Sequence, residues 1–180
     1  QVRNGETQLV NTNKLIRSYQ GITGLKTGTT SQAGSCITAT AERNGLELIA
    51  VVLGADSTDH RFQDAAALLD FGFANWKVVV PEAPVLERVP VSRGMAPDVA
   101  AQAGESPKLL LKATETGEVE TEIQWKELTA PIQKGDVIGT LVYSLGGETL
   151  AQVEITAGED VEEVTFSSAL GYLLGALITL

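Results

Sequence analysis

The sequence predicts an α+β protein: an antiparallel sheet with one long helix, followed by a small all-β, sandwich-like domain. Three observations predict it. Arg43-Asn44-Gly45 separates two apolar runs, one from Ser35 to Glu42 and one from Leu46 to Gly54. Asn-Gly between such runs is the strongest short-range hairpin signal. Residues 58–76 then place Phe62, Ala65, Ala66, Leu69, Phe73 and Trp76 on one face at helical spacing. From Val78 onward, short strand-like segments recur between turns at Thr116-Gly117, Lys134-Gly135-Asp136 and Gly146-Gly147, the pattern of a small sandwich or barrel.

Charge divides the chain at the same place. The 180 residues carry a net charge of −10. Residues 1–77 hold seven Lys/Arg and seven Asp/Glu, whereas residues 78–180 hold six and sixteen. We therefore expect one domain over 1–77, a β-rich domain over 78–163 and an apolar tail over 164–180. The acidic balance excludes nucleic acid as an expected partner, because a phosphate backbone needs a basic face. One cysteine, Cys36, and one histidine, His60, leave no material for an internal disulfide or a multi-histidine metal cluster. Cys36 lies in a strand-like run and reads as a small core residue. The chain opens without a methionine and reads as a piece of something longer.

In order, residues 1–13 read as a hairpin remnant around Asn4-Gly5, and Lys14 to Tyr19 as a short helical turn. A strand follows from Ile22 to Thr29, then the hairpin. Ser57 or Thr58 can cap the helix, and Asp59 suits its positive end. Arg61 does not suit that end, where the helix dipole disfavours a cation. It needs an acidic neighbour such as Asp64 or an anionic ligand; from spacing alone it reads as a surface residue. In the second half, strands are expected at Val85–Val91, Lys108–Ala113, Val119–Gln124, Val137–Leu145 and Thr149–Thr156. Glu118, Glu120 and Glu122 alternate with Val119, Thr121 and Ile123, which gives one acidic, solvated face. Val164 to Leu180 carries no charge and contains Gly171 and Gly175 at G-x-x-x-G spacing. At seventeen residues it reaches the lower limit of a membrane span. A truncated anchor, an interfacial helix and a buried helix are all open, and membrane association is the favoured reading.

The chemistry-bearing stretch is Lys26-Thr27-Gly28, inside Gly24-Leu25-Lys26-Thr27-Gly28-Thr29-Thr30. Taken alone, the triplet is weak evidence and reads as a turn after a strand. In an acyl-transfer site, however, each residue type has a use. The Lys26 ammonium supplies a positive field for a substrate carboxylate and for proton transfer. The Thr27 hydroxyl can hydrogen-bond that carboxylate. Gly28, without a side chain, lets an extended substrate lie along the strand.

The conjunction of Gly24 to Thr30, Ala33-Gly34, the hairpin, Arg61, Leu68-Leu69-Asp70-Phe71-Gly72-Phe73 and Leu128 to Gly139 resembles a known family. It is similar to the C-terminal part of the serine D-alanyl-D-alanine carboxypeptidases, the low-molecular-mass penicillin-binding proteins. The resemblance covers nearly the whole chain. It implies the C-terminal part of a penicillin-binding, β-lactamase-like transpeptidase domain, followed by a small β-rich domain and a membrane-anchoring helix. It implies removal of the terminal D-alanine from peptidoglycan stem peptides through an acyl-enzyme, without metal or organic cofactor, and inhibition by β-lactams. By position, Lys26 carries over as the catalytic residue, and Thr27, Gly28, Thr29 and Arg61 as substrate-binding residues. Arg61 would then help hold the substrate carboxylate, which replaces its surface reading. An extracytoplasmic place, attached to the cytoplasmic membrane through the tail, is implied as well.

Two departures stand beside the resemblance. No Ser-x-x-Lys and no Ser-x-Asn occurs in the 180 residues; in the family both precede the Lys-Thr-Gly strand. The chain is thus expected to be inactive alone. The tail is apolar where the family's anchor is amphipathic and basic. A β-lactamase of the same superfamily is disfavoured by the β-rich second half. A non-catalytic cell-wall-binding or interaction module is the alternative.

Overall fold

The computed structural model of the chain describes residues 10–171. The predicted hairpin over 1–13 falls mostly on residues 1–9, and much of the tail, including Gly175, falls on 172–180; both lie outside the described residues. The chain divides into two compact units. One runs to Val79 and adds Leu110–Thr116; the other takes Val80–Leu109 and the residues from Gly117 on. Sequence boundaries treat each part as one continuous segment, so the return of Leu110–Thr116 to the first unit was not anticipated.

The first unit begins with a single helical turn, α1 (Leu15–Ser18), and continues into β1 (Ile22–Thr30), β2 (Gly34–Arg43) and β3 (Leu46–Ala55). The strands form one antiparallel sheet in the order β1-β2-β3, so β1 and β3 are its edges. Along β2, Ser35, Ile37, Ala39 and Ala41 are buried while Cys36, Thr38 and Thr40 are half-buried. This is the period of two expected of a strand with one face on a core. Asn44 (φ 51°) and Gly45 (φ 79°) make the β2–β3 turn, with the left-handed conformations that Asn-Gly accepts.

Helix α2 (Thr58–Asn75) packs on the buried face of that sheet. Ser57 caps it by accepting from the His60 N–H at 3.1 Å, and Asp59 lies in its first turn. Phe62, Ala65 and Leu69 are buried against Ile37, Ala39, Ala41, Ala50 and Val52, and Ala66 and Phe73 pack partly. Trp76 departs from the predicted stripe. It is the C-cap, in extended conformation, and opens β4 (Trp76–Val79), which pairs with β8 (Leu109–Lys112). Its indole therefore leaves the helical face and is 37% exposed. The far side of the helix and β3 expose Ile49, Val51, Leu53, Leu68 and Phe71, an apolar surface that counting one helical face did not show.

The second unit is all-β. Strands β5 (Val89–Pro90) and β6 (Asp98–Val99) pair with each other, and β7 (Ala101–Ala103), β9 (Glu120–Trp125), β10 (Val137–Leu145) and β11 (Glu148–Ala157) form an antiparallel sheet in the order β7-β11-β10-β9. Its core gathers Val89, Val99, Ile138, Leu141, Tyr143, Ile155 and Val161. The strand expected over Val85–Val91 shrinks to β5. Pro81, Pro84 and Pro90 lack the N–H that a ladder needs. β6 and β7 were missed because two or three residues carry no readable period. Glu118, Glu120 and Glu122 are exposed as expected. Residues 166–171 are helical, and among the described residues no helix is long and apolar enough to cross a membrane.

Candidate active site

β1 carries four of the five predicted site residues in a row. Among the described residues β1 is an edge, and no described strand pairs with its outer hydrogen-bonding side. Gly21, at φ +81°, admits the chain to this strand, and its carbonyl accepts from the Glu42 N–H at 2.8 Å. Register then sets the faces. Thr27 stands opposite Ile37 and Thr29 opposite Ser35, so both threonines lie on the side of α2. Lys26 stands opposite Thr38 and Gly28 opposite Cys36, on the other side. Directly opposed residues share a face, so the predicted set straddles the strand.

Each member is held differently. Lys26 is exposed, and its Nζ donates to the Thr27 carbonyl at 2.7 Å. Thr27 is buried, and its hydroxyl meets that of Thr12 at 2.8 Å. A Cβ placed on Gly28 would have nothing within 4 Å. Glycine is thus not forced there by crowding; the position faces open space. Thr29 Oγ1 accepts from Arg61 Nη1 at 2.9 Å.

Arg61 corrects the reading made from spacing. It is 5% exposed, not on the surface. Its Nη1 donates to the Gly28 carbonyl at 3.1 Å, to Thr29 Oγ1 at 2.9 Å and to the Cys36 carbonyl at 3.4 Å. The guanidinium carbon lies 4.9 Å from the centre of the Phe62 ring, within the range of a cation–π contact. Neither Asp64 nor any other carboxylate pairs with it among the described residues. A cation in the first turn of α2 is tolerated because it reaches away from the helix to carbonyl and hydroxyl oxygens of the strands. Its Nε is buried and without a partner among the described residues. Cys36 is corrected too. It is half-buried on the face away from α2, with its thiol donating to the Ala33 carbonyl at 3.3 Å.

Sequence reasoning missed the support from upstream. Asn13 is 2% exposed; its Nδ2 donates to the Gly24 carbonyl at 3.3 Å, and its Oδ1 accepts from the Leu15 N–H at 3.1 Å. Asn13 therefore ties α1 to the start of the Lys-Thr-Gly strand, and Thr12 touches Thr27. The only signal was the polar run Asn11-Thr12-Asn13, whose side chains favour local bonds to backbone over a regular strand.

A clasp of a different kind closes the other end of α1. Arg43 stacks between Tyr19 and Phe73, its guanidinium carbon 4.6 and 4.4 Å from the ring centres. Tyr19 donates to Asp70 at 2.6 Å. Partial burial, and then the bond to Asp70, push the Tyr19 phenol up to about 12.

Known proteins resemble this chain in sequence and in fold. A family model described as D-alanyl-D-alanine carboxypeptidase matches residues 1–57, and one described as penicillin-binding protein 5, C-terminal domain, matches residues 73–163. The chain is 36% identical over 171 residues to D-alanyl-D-alanine carboxypeptidase DacF of Bacillus subtilis, covering 93% of this chain and 44% of that protein. It is 37% identical over 166 residues to D-alanyl-D-alanine carboxypeptidase DacC of Escherichia coli, with 87% and 40% covered. The solved structure of penicillin binding protein 5 from Haemophilus influenzae is similar at a TM-score of 0.66 and 31% identity, over 85% of this chain and 46% of that one. The chain thus spans less than half the length of these relatives.

Proposed function

The chain belongs to the D-alanyl-D-alanine carboxypeptidase family, and from that premise we propose that it forms the substrate-binding wall of an enzyme trimming peptidoglycan stem peptides that end in D-Ala-D-Ala. The observation that carries the reading is the placement of Lys26-Thr27-Gly28 on an edge strand, with open space at Gly28. An extended peptide can add to that edge as a further strand. The Lys26 ammonium provides the positive field that steers and orients the terminal carboxylate and assists proton transfer. Thr27 offers its hydroxyl, exchanging Thr12 for the ligand. Arg61 acts mainly from beneath: by fixing the Gly28 carbonyl and the Thr29 hydroxyl it holds the strand in the shape that the substrate meets, and it adds positive charge near the same carboxylate.

In this scheme a serine outside these 180 residues attacks the carbonyl carbon of the last peptide bond. The serine O–C bond forms, the C–N bond breaks, and D-alanine leaves with the serine proton on its amine. Water then adds hydroxyl to the acyl carbon, the serine O–C bond breaks, the shortened peptide leaves as a carboxylic acid and the serine regains its proton. The scheme calls for no metal or organic cofactor. β-Lactams would acylate the same serine. The enzyme would work on the outer side of the cytoplasmic membrane, with the apolar tail as its attachment.

The test is covalent labelling by a fluorescent penicillin. An enzyme that joins a Ser-x-x-Lys segment to these residues should be labelled, whereas the 180-residue chain should not. Lys26→Ala in the longer enzyme should slow acylation by about 10²–10³-fold, the scale of losing one electrostatic group at a reacting centre, with little change in stability because Lys26 is exposed. Normal labelling of a folded Lys26→Ala enzyme would refute its role. A folded parent that takes no label would favour a non-catalytic wall-binding module.

A further inference from the structure

The β-rich unit contains a groove of about 640 Å³ lined by Glu87, Arg88, Ser92, Trp125, Glu127 and Thr129, with Lys126 beside them. Its size is within the range of small-ligand sites, roughly 300–1,000 Å³. Trp125 ends β9 and is 40% exposed. Its ring rests on Gly139 of β10, where an added Cβ would come within 2.9 Å of Cε3. A residue larger than glycine at 139 would push the ring off the sheet. The indole is therefore seated as a platform, with its uncovered part lining the groove. The base of the groove is tied by backbone bonds, from Ser92 N–H to the Leu128 carbonyl and from Ala130 N–H to the Ser92 carbonyl, both at 2.9 Å.

The polar groups around that platform sort into two kinds. The cations are committed elsewhere. Arg88 pairs with Asp98 and Glu159, and Lys126 Nζ donates to the Val137 carbonyl at 3.0 Å. By contrast, the side chains of Glu87, Glu127, Ser92 and Thr129 make no hydrogen bond among the described residues. Two carboxylates and two hydroxyls are thus left as acceptors beside an open aromatic surface. Arg88 and Lys126 equal Glu87 and Glu127 in number, but Arg88 is already paired with Asp98 and Glu159, so the groove and its surroundings are net acidic. An anion would meet no uncommitted cation. A polycation is drawn by that acidity and is therefore the competing ligand.

What uses the indole, the carboxylates and the hydroxyls together is a neutral molecule with many hydroxyl groups and an apolar face of its own. That is the chemistry of a pyranose: its axial C–H groups stack on an indole, while its hydroxyls donate to carboxylates and accept from serine and threonine. We propose that the Trp125 groove is a saccharide-binding site, through which the β-rich unit holds a glycan. The site is independent of the Lys-Thr-Gly strand, so its success or failure leaves the carboxypeptidase reading to its own test.

The experiment is a titration of the whole chain with soluble oligomers of N-acetylglucosamine and of glucose, read by tryptophan fluorescence and by calorimetry. Trp76→Phe makes Trp125 the single reporter, since the sequence has two tryptophans. Saturable binding of either oligomer is expected, weakened about tenfold or more by Trp125→Ala, substantially by Glu127→Gln, and least by Trp125→Phe, which keeps an aromatic platform. Circular dichroism checks folding; should Trp125→Ala fail to fold, the Glu127→Gln titration decides. Absence of saturable binding by both oligomers in the folded parent overturns the proposal, as does binding unaffected by folded variants at these positions. So does capture of a lysine-rich peptide, in place of sugar, by the same groove.

Discussion

Arg61 shows how one side chain can tie a helix to two neighbouring strands. A single Nη1 serves acceptors on β1 and β2, so the loss of the guanidinium leaves the Gly28 carbonyl without that donor. We expect Arg61→Ala to lower stability by about 1.5–3 kcal/mol, the worth of hydrogen bonds to a charged group, as read by urea unfolding. Lysine is not an equivalent replacement, because its ammonium lacks the planar fork. Tyr19 gives a pH-dependent counterpart. Its phenol is raised from 10.0 to about 12 by partial burial and by donation to Asp70, so the folded state favours the neutral form. That contribution is complete below pH 10 and is lost as pH rises through about 12. Tyr19→Phe should therefore be less stable than the parent at neutral pH, and the gap in melting temperature should close between pH 10 and 12.

Among elements, β1 depends most on how it begins. Gly21 sits at φ +81°, and a Cβ there would lie 2.3 Å from the Glu42 carbonyl oxygen. Gly21→Ala should cost about 1–3 kcal/mol and loosen the Lys-Thr-Gly strand, visible as faster amide exchange over Leu25–Thr29. The hairpin and α2 were readable in advance because each has a local cause: Asn-Gly at the turn, a serine cap and an apolar stripe for the helix. β10 and β11 were readable because both are long and are set off by the turns at Lys134-Gly135-Asp136 and Gly146-Gly147, although β10 is buried in runs and not alternately. Arg61 was misplaced by spacing alone, since its burial depends on oxygens of Gly28, Thr29 and Cys36, which stand 25 to 33 positions back in the sequence. Asn13 gave no usable signal for the same reason: its partner at Gly24 is fixed by the fold. The short strands β6 and β7 exist through pairing with Val89 and Ile155, not through any pattern of their own.

At the scale of the molecule, net charge is what keeps copies apart. The sequence carries −10 at neutral pH and has an isoelectric point near 4.5. Mutual repulsion of that size keeps a protein dispersed. Opposing it is β3, an edge of the sheet among the described residues, whose face away from α2 displays Ile49, Val51 and Leu53 to solvent at 68%, 55% and 76% exposure. An unpaired, apolar strand edge is a template on which further chains can stack. For anyone handling the isolated chain, storage conditions follow directly. Solutions should stay clear at pH 7 and low salt, then turn turbid as acid brings the charge toward zero, with light scattering rising before the circular dichroism signal falls. Val51→Lys, placed in the middle of that edge, should move the onset of turbidity to higher protein concentration. Should the parent and Val51→Lys cloud together, the edge is not where the particles begin.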